Sequence, residues 1–333
     1  MNNMNTVLEF KNVSKHYDVS RNIREILTGT KPKVRAVDNV SFKINQGESV
    51  GIVGESGCGK TTLAKLILNL LEPTSGDIFF ENKNINKINT TDEIHNFKKN
   101  LQFVFQNPYD SLNPRFTIKD ILLEPLRSLK YKETDFDELI SNVMNLVKLK
   151  NKEEYLYKYP HELSGGQLQR IVLARALIIS PKFVVADEPV SMLDVSVRAG
   201  ILNAFNEAKK SMNFTAIYIS HDLALVKYVC ERTIVMYLGS VVEDGPTKEV
   251  ISNPLHPYTK ALVEAVPVPH VDQSHEPLPI IGNIPDATKF YEGCKFSDRC
   301  PNPSHDCKHG NIKMGLIEAK PGHWVDKCCI NCK

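Results

Sequence analysis

The run Gly54-Glu55-Ser56-Gly57-Cys58-Gly59-Lys60-Thr61, followed by Thr62, has the spacing G-x-x-x-x-G-K-[ST]. In that pattern a backbone curled by glycines turns successive N–H groups towards phosphate oxygens. Lys60 supplies a cation for the β- and γ-phosphates of a nucleotide such as ATP, and the Thr61 hydroxyl suits Mg²⁺. The loop must sit between a strand and a helix, because the helix dipole strengthens the anion site. Ser49–Val53 is a β-favouring run and Thr61–Leu71 has the apolar density of a buried helix, so that context is present. An ordinary glycine-rich turn is the weaker reading. Cys58 reads as a small loop residue, although a thiol beside a cationic turn can be unusually reactive.

Further residues could act on a bound nucleotide. Phe183, Val184, Val185 and Ala186 form an apolar run that ends in Asp187 and Glu188. Neighbours on a strand face opposite sides, so the two carboxylates can take different tasks at the strand end, where ligand sites gather in parallel sheets. Leu163-Ser164-Gly165-Gly166-Gln167 puts a hydroxyl and two glycines at the opening of a helix. That repeats the donor arrangement of the phosphate loop; taken alone it reads as a helix cap. Gln106 follows Phe103-Val104-Phe105 and His221 follows Tyr218-Ile219-Ser220, each alone an ordinary polar residue at the end of an element. Tyr17 is either an aromatic on a strand edge or a platform for a base.

In this order and spacing the motifs resemble the ABC ATPase family. The resemblance implies that Asp187 helps hold Mg²⁺ beside Thr61 and Gln106, and that Glu188 orients and deprotonates the attacking water. It implies that Gln106 touches metal or water, that His221 contacts the γ-phosphate and that Tyr17 stacks on adenine. Ser164, Gly165, Gly166 and Gln167 would face a nucleotide held by another subunit, in a head-to-tail dimer with two nucleotides in its interface. Ser191-Met192-Leu193-Asp194 takes the D-loop place, with Met192 where alanine is more usual, so communication between the two sites carries over least directly.

These residues need elements to position them. A chain of 333 residues with 42% hydrophobic content can bury a substantial core. Val7–Phe10 and Val40–Ile44 read as short strands, separated by a basic insertion at 18–34 that reads as a surface loop. The segment from Asn107 to Ile179 lacks strand patterning and holds helices, among them Phe136–Leu149 and Gln167–Ile179. Strands return at Phe183–Ala186, Ala216–Ile219 and Thr233–Met236, with a helix over Val197–Ser211. Such alternation predicts an α/β fold with a parallel sheet covered on both faces. By resemblance this is a P-loop NTPase core of RecA-like type, with an antiparallel β-subdomain and a helical subdomain at about 107–179. The expected division is an ATPase domain at 1–252 and a cysteine-rich C-terminal extension at 253–333. Lys plus Arg number 41 against 39 Asp plus Glu, and a net charge of +2 makes no case for a nucleic-acid or acidic-membrane partner. No apolar run reaches about 18 residues and the first residues lack a signal-peptide core, so the chain is expected neither to span a membrane nor to be exported.

From Asn253 onward the composition shifts, with Pro254, Pro257, Pro267, Pro269, Pro277, Pro279 and Pro285. Of eight cysteines, Cys294, Cys300, Cys307, Cys328, Cys329 and Cys332 crowd the last forty residues, which in a cytosolic chain favours metal over disulfides. Thiolates at Cys294, Cys300, Cys307 and Cys328 suit tetrahedral zinc or an iron–sulfur cluster, and spacing does not decide between them. Either Cys329 or Cys332 could replace Cys328, and His305, His309 and His323 are expected at the surface. Asn107–Pro114, Asn253–Leu262 and the cysteine group resemble the ATPases of oligopeptide and dipeptide importers. That resemblance implies a structural [4Fe–4S] cluster, with zinc as the alternative. It also implies a second, homologous ATPase subunit, two transmembrane permease subunits and, indirectly, an extracellular solute-binding protein. The chain would then sit at the cytoplasmic face of the cell membrane and drive import of peptides or related solutes, with no nucleic acid involved. The insertion at 18–34 looks like that of the second ATPase of such pairs, which favours a heterodimer. A soluble ABC ATPase acting on ribosomes or nucleic acid is the rival; it would carry two cassettes or a long coiled coil, and here there is one signature and no heptad tract.

Overall fold

The computed structural model of the chain describes residues 5–19, 32–265, 285–310 and 314–331. Most of the expected insertion at 18–34, four prolines (Pro267, Pro269, Pro277 and Pro279) and Cys332 lie outside the described residues. The strands are β1 (Thr6–Asp18), β2 (Lys33–Asn45), β3 (Ser49–Val53), β4 (Ser75–Phe80), β5 (Lys83–Asn84), β6 (Leu101–Val104), β7 (Phe183–Asp187), β8 (Thr215–Ser220), β9 (Arg232–Tyr237), β10 (Ser240–Pro246), β11 (Leu316–Lys320) and β12 (His323–Asp326). They are shared between two units, one drawn from Met1–Ile44, Val50–Asn86 and Ser220–Lys333, the other from Asn45–Ser49 and Lys87–Ile219.

In the first unit β2, β1, β4 and β5 lie side by side, with β1–β4 and β4–β5 antiparallel. Alternation of buried Leu8, Phe10, Val40, Phe42 and Ile78 with more exposed residues gives this layer one apolar face, and the Phe10 and Phe42 rings stack at 4.6 Å. A second group runs β11-β12-β10-β9-β3. Here β3 and β9 are parallel, as expected, but β10, β12 and β11 continue antiparallel. The departure from a purely parallel sheet has a local cause. Only Leu238 and Gly239, both at positive φ, connect β9 to β10, and only Pro321 and Gly322 connect β11 to β12. Two-residue links of this kind can only reverse the chain.

In the second unit β8, β7 and β6 are parallel, and β7 and β8 are buried at every position. Between β6 and β7 the described residues form helices and no strand: Pro108–Ser111, Ile118–Ser128, Phe136–Leu146, Glu153–Leu156 and Gly165–Leu177. The last of these packs against Ile118–Ser128, Phe136–Leu146 and the helix Val195–Met212, burying Leu168, Ile171, Leu173 and Leu177.

Lys60–Ile67 and Phe136–Leu146 end earlier than their apolar pattern predicts, and single residues in the left-handed region explain where. The first stops before Asn69 (φ +53) and the second before Lys148 (φ +63), while Val195–Met212 runs one residue past its expected end and stops at Asn213 (φ +54). Among the described residues no helix is long and apolar enough to cross a membrane.

Candidate functional site

The phosphate loop joins β3 to the helix Lys60–Ile67. Gly59 caps that helix at φ +107, and a Cβ there would lie 2.0 Å from the Ala36 carbonyl oxygen, so no other residue fits without moving backbone. The helix opens without a side-chain cap. Lys60 is buried, and its ammonium donates to the carbonyls of Gly54 at 2.6 Å and Glu55 at 3.0 Å. Ser56, Gly57 and Thr61 are exposed, and Thr62 is half-buried. Cys58 is buried, and that burial pushes its thiol up despite the nearby Lys60, which opposes the reading of an unusually reactive thiol. Tyr17 lies on β1, partly exposed, with the Lys15 ammonium 5.5 Å from its ring. His221 is exposed directly after β8, and Asp222 caps the following helix Leu223–Val229 by accepting from the N–H groups of Ala224 and Leu225.

The second unit brings Gln106 and Glu188 together. Asp187 is the last, buried residue of β7, and Glu188 follows at φ +44, a strained conformation for a non-glycine residue. Its N–H donates to the Ile219 carbonyl at 2.9 Å. Gln106 Nε2 donates to Glu188 Oε2 at 3.0 Å and lies 3.4 Å from Ser191 Oγ, which in turn donates to the Glu188 carbonyl at 3.1 Å. This side-chain role of Ser191 was not legible in the sequence, although its motif was.

Ser164 caps the helix Gly165–Leu177: its Oγ accepts from the Gln167 N–H at 3.3 Å while Gln167 Oε1 accepts from the Ser164 N–H at 3.0 Å. The helix-cap reading of this motif is therefore correct as far as it goes. A Cβ on Gly166 would lie 2.5 Å from Val197, so glycine lets the helix Val195–Met212 approach. Ser164 to Gln167 line an open depression of about 360 Å³ with Arg170, Asp194 and the exposed Met192.

The C-terminal cysteines converge. Cys294, Cys300, Cys307 and Cys328 are buried and line one small cavity, joined there by Cys329, His256 and Phe296. Cys328 Sγ is 3.4 Å from Cys294 Sγ and 3.7 Å from Cys329 Sγ, and Ser304 Oγ is 3.0 Å from Cys307 Sγ. None of the seven described cysteines is in a disulfide. The Cys328 thiol and burial push Cys294 up, and burial does the same to Cys300, so these thiols hold their protons unless a cation displaces them. Ligand atoms of His256, Cys328 and Cys329 lie within 4.8 Å of one another. His256 is fully buried, which lowers it to about 3, and its Nδ1 accepts from the Tyr258 N–H at 3.1 Å. Four buried thiols and a neutral imidazole line one cavity, and these are donor types that zinc and iron–sulfur clusters take.

His305 and His309 are exposed as expected, but His323 is not. It is buried with Nε2 2.7 Å from Glu243 Oε1, a partner 80 residues away that no local pattern signals. Glu243 also accepts from the N–H groups of Leu255 and His256 at 3.0 and 2.8 Å.

Comparison with known proteins places these features in context. The model of the family "ABC transporter" matches residues 37–191, and that of "Oligopeptide/dipeptide transporter, C-terminal region" matches 242–307. The oligopeptide transport ATP-binding protein AppF of Bacillus subtilis is 39% identical over 97% of this chain and 97% of its own. The di/tripeptide transport ATP-binding protein DppF of Pseudomonas aeruginosa is 40% identical over 95% of this chain and 96% of its own. Among solved structures, cbiO1 of Clostridium perfringens, part of the ABC transporter complex cbiONQ, superposes with a TM-score of 0.64 at 26% identity, covering 75% of this chain and 92% of that one. A dimeric ATP-binding cassette in a post-hydrolysis state, bound to ADP and Pi, gives 0.62 at 27% identity, covering 72% and 98%. With the ABC ATPase fold in place and identity near 40% over almost the whole length, the chain belongs to the family of ATP-binding subunits of oligopeptide and dipeptide ABC transporters.

Proposed function

We propose that the chain binds and hydrolyses ATP with Mg²⁺ to energise import of peptides or related oligomeric solutes. The observation that carries the chemistry is the Gln106–Glu188 contact at the end of the buried β7: a carboxylate in a strained, held conformation, with an amide oriented on it. Glu188 takes a proton from the attacking water, and Gln106 and His221 orient that water and the γ-phosphate. Lys60 and the amides of the Gly54–Thr62 loop hold the phosphates, apart from those of Glu55 and Cys58, whose N–H groups donate to the Tyr258 hydroxyl and the Glu55 carbonyl, and Tyr17 stacks on the base. Thr61, Gln106 and Asp187 would hold Mg²⁺, which when bound neutralises phosphate charge. The 1–252 segment acts as the ATPase domain and 253–333 as the extension.

The depression lined by Ser164 to Gln167 faces the nucleotide of a second, homologous ATPase in a head-to-tail pair; the dimeric solved cassette supports this arrangement. Two permease subunits, contacted through the region of Gln106, and indirectly an extracellular solute-binding protein complete the importer, with this chain at the cytoplasmic face of the membrane. The names of the relatives, which are peptide transport ATP-binding proteins, support this reading over one in which the chain acts on ribosomes or nucleic acid. Cys294, Cys300, Cys307 and Cys328 would hold a [4Fe–4S] cluster of structural role, or zinc, which cross-links the C-terminal segment when bound.

Steady-state hydrolysis by the chain paired with its partner ATPase tests the reading. Glu188→Gln should lower turnover by about 10²- to 10⁴-fold while ATP binding persists. Undiminished turnover by that variant removes Glu188 as the base.

A further inference from the structure

Glu55, the second residue of the phosphate loop, is held at both its backbone and its side chain by residues 203 and 244 positions further along the chain. Its N–H donates to the Tyr258 hydroxyl at 2.7 Å, and its carboxyl oxygens accept from Arg299 Nη1 and Nη2 at 2.7 and 3.0 Å. The forked pair is the geometry in which arginine holds a carboxylate most firmly. Both anchors are themselves fixed. Tyr258 is fully buried, its ring 4.8 Å from Tyr237 and 5.7 Å from Phe296, and the Arg299 guanidinium sits 5.7 and 5.9 Å from the same two rings. On the other side of the Glu55 peptide, the carbonyls of Gly54 and Glu55 receive the Lys60 ammonium. One short piece of backbone therefore connects two anchors in the C-terminal segment to the cation of the phosphate loop.

We infer that Tyr258 and Arg299 are positioning residues of the nucleotide site, which set the place of Lys60 by fixing the Gly54–Glu55 segment. The inference rests on the nucleotide-binding reading of that loop. It makes phosphate affinity depend on the cysteine-bearing segment, because Arg299 lies between Cys294 and Cys300 in the chain and Tyr258 follows His256, which lines the cysteine cavity. A contact that only fastened the C-terminal segment to its neighbours would alter stability and leave nucleotide affinity unchanged.

The test is calorimetric titration of the full chain with Mg–ATP, for wild type, Tyr258→Phe, Arg299→Lys, Arg299→Ala, Glu55→Gln and the double variant Glu55→Gln/Arg299→Ala, with thermal melts of each. Tyr258→Phe and Arg299→Ala should each weaken Mg–ATP by about tenfold, the effect of losing one strong hydrogen bond that orders the loop. Arg299→Lys should recover part of the loss, and the double variant should be no weaker than Arg299→Ala alone, because both act through one contact. Tyr258→Phe and Arg299→Lys preserve side-chain volume and decide the matter if Arg299→Ala does not fold. Affinities within about twofold of wild type in folded Tyr258→Phe and Arg299→Lys overturn the inference while leaving nucleotide binding in place. Failure of the wild type to bind Mg–ATP overturns both.

Discussion

Replacing Glu243 by Ala should loosen the junction between β10, β12 and the start of the helix Pro257–Glu264. Glu243 is wholly buried, and its two carboxyl oxygens serve three groups: His323 Nε2 and the Leu255 N–H on Oε1, and the His256 N–H on Oε2. Alanine leaves the buried His256 N–H and His323 ring without partners and the Leu255 N–H partly so. Each such orphan costs roughly 1–3 kcal/mol, for a total of about 4 kcal/mol before any cavity term. In a cooperative unit of this size about 1 kcal/mol moves the melting midpoint by 2–4 °C, so the expected shift is about 10 °C. Glu243→Gln keeps one acceptor oxygen and should lose roughly half as much. Differential scanning calorimetry on wild type and both variants gives the ordering directly. Because Glu243 also seats His256, two residues before Tyr258, amide exchange at Leu255 and His256 should accelerate in the same order. Coincident melts for wild type and Glu243→Ala would refute the assignment of this carboxyl group as a structural hub.

Two further outcomes are expected. Gly59→Ala forces a Cβ to within 2.0 Å of the Ala36 carbonyl at φ +107, so the loop must shift at a cost of about 3 kcal/mol or more; Mg–ATP binding by titration should be lost while far-ultraviolet circular dichroism is retained. Protein purified without oxygen should carry about four irons and four acid-labile sulfides per chain, and Cys294→Ser/Cys300→Ser should lose them; one zinc and no sulfide would replace the cluster by a zinc site.

Motifs whose function depends on neighbours a few residues apart were readable from the chain alone. The glycine spacing of the phosphate loop, the apolar run ending at Asp187 and Glu188, and the Ser164 cap all follow from local backbone geometry, which a short stretch of residues dictates. The helical character of 107–179 was legible for the same reason: helices are built from contacts three and four residues apart. Their ends were less so, because single residues at positive φ such as Asn69 and Lys148 stop a helix inside a pattern that still reads as apolar.

What only the tertiary structure decided are the pairings between residues far apart in the chain. His323 reads as a surface histidine, yet Glu243 holds it from 80 residues away, and Glu55 reads as one residue of the phosphate loop, yet Tyr258 and Arg299 close on it from 203 and 244 positions downstream. The sheet looked parallel because strands alternated with helices, yet a two-residue turn at Leu238 and Gly239 sent β10 back antiparallel and gave β12 an edge to join. Cys294 and Cys328 share a cavity because that edge brings their segments together. Local sequence determined which residues could do the chemistry; burial and long-range hydrogen bonding, which sum over the whole chain, decided what holds them in place.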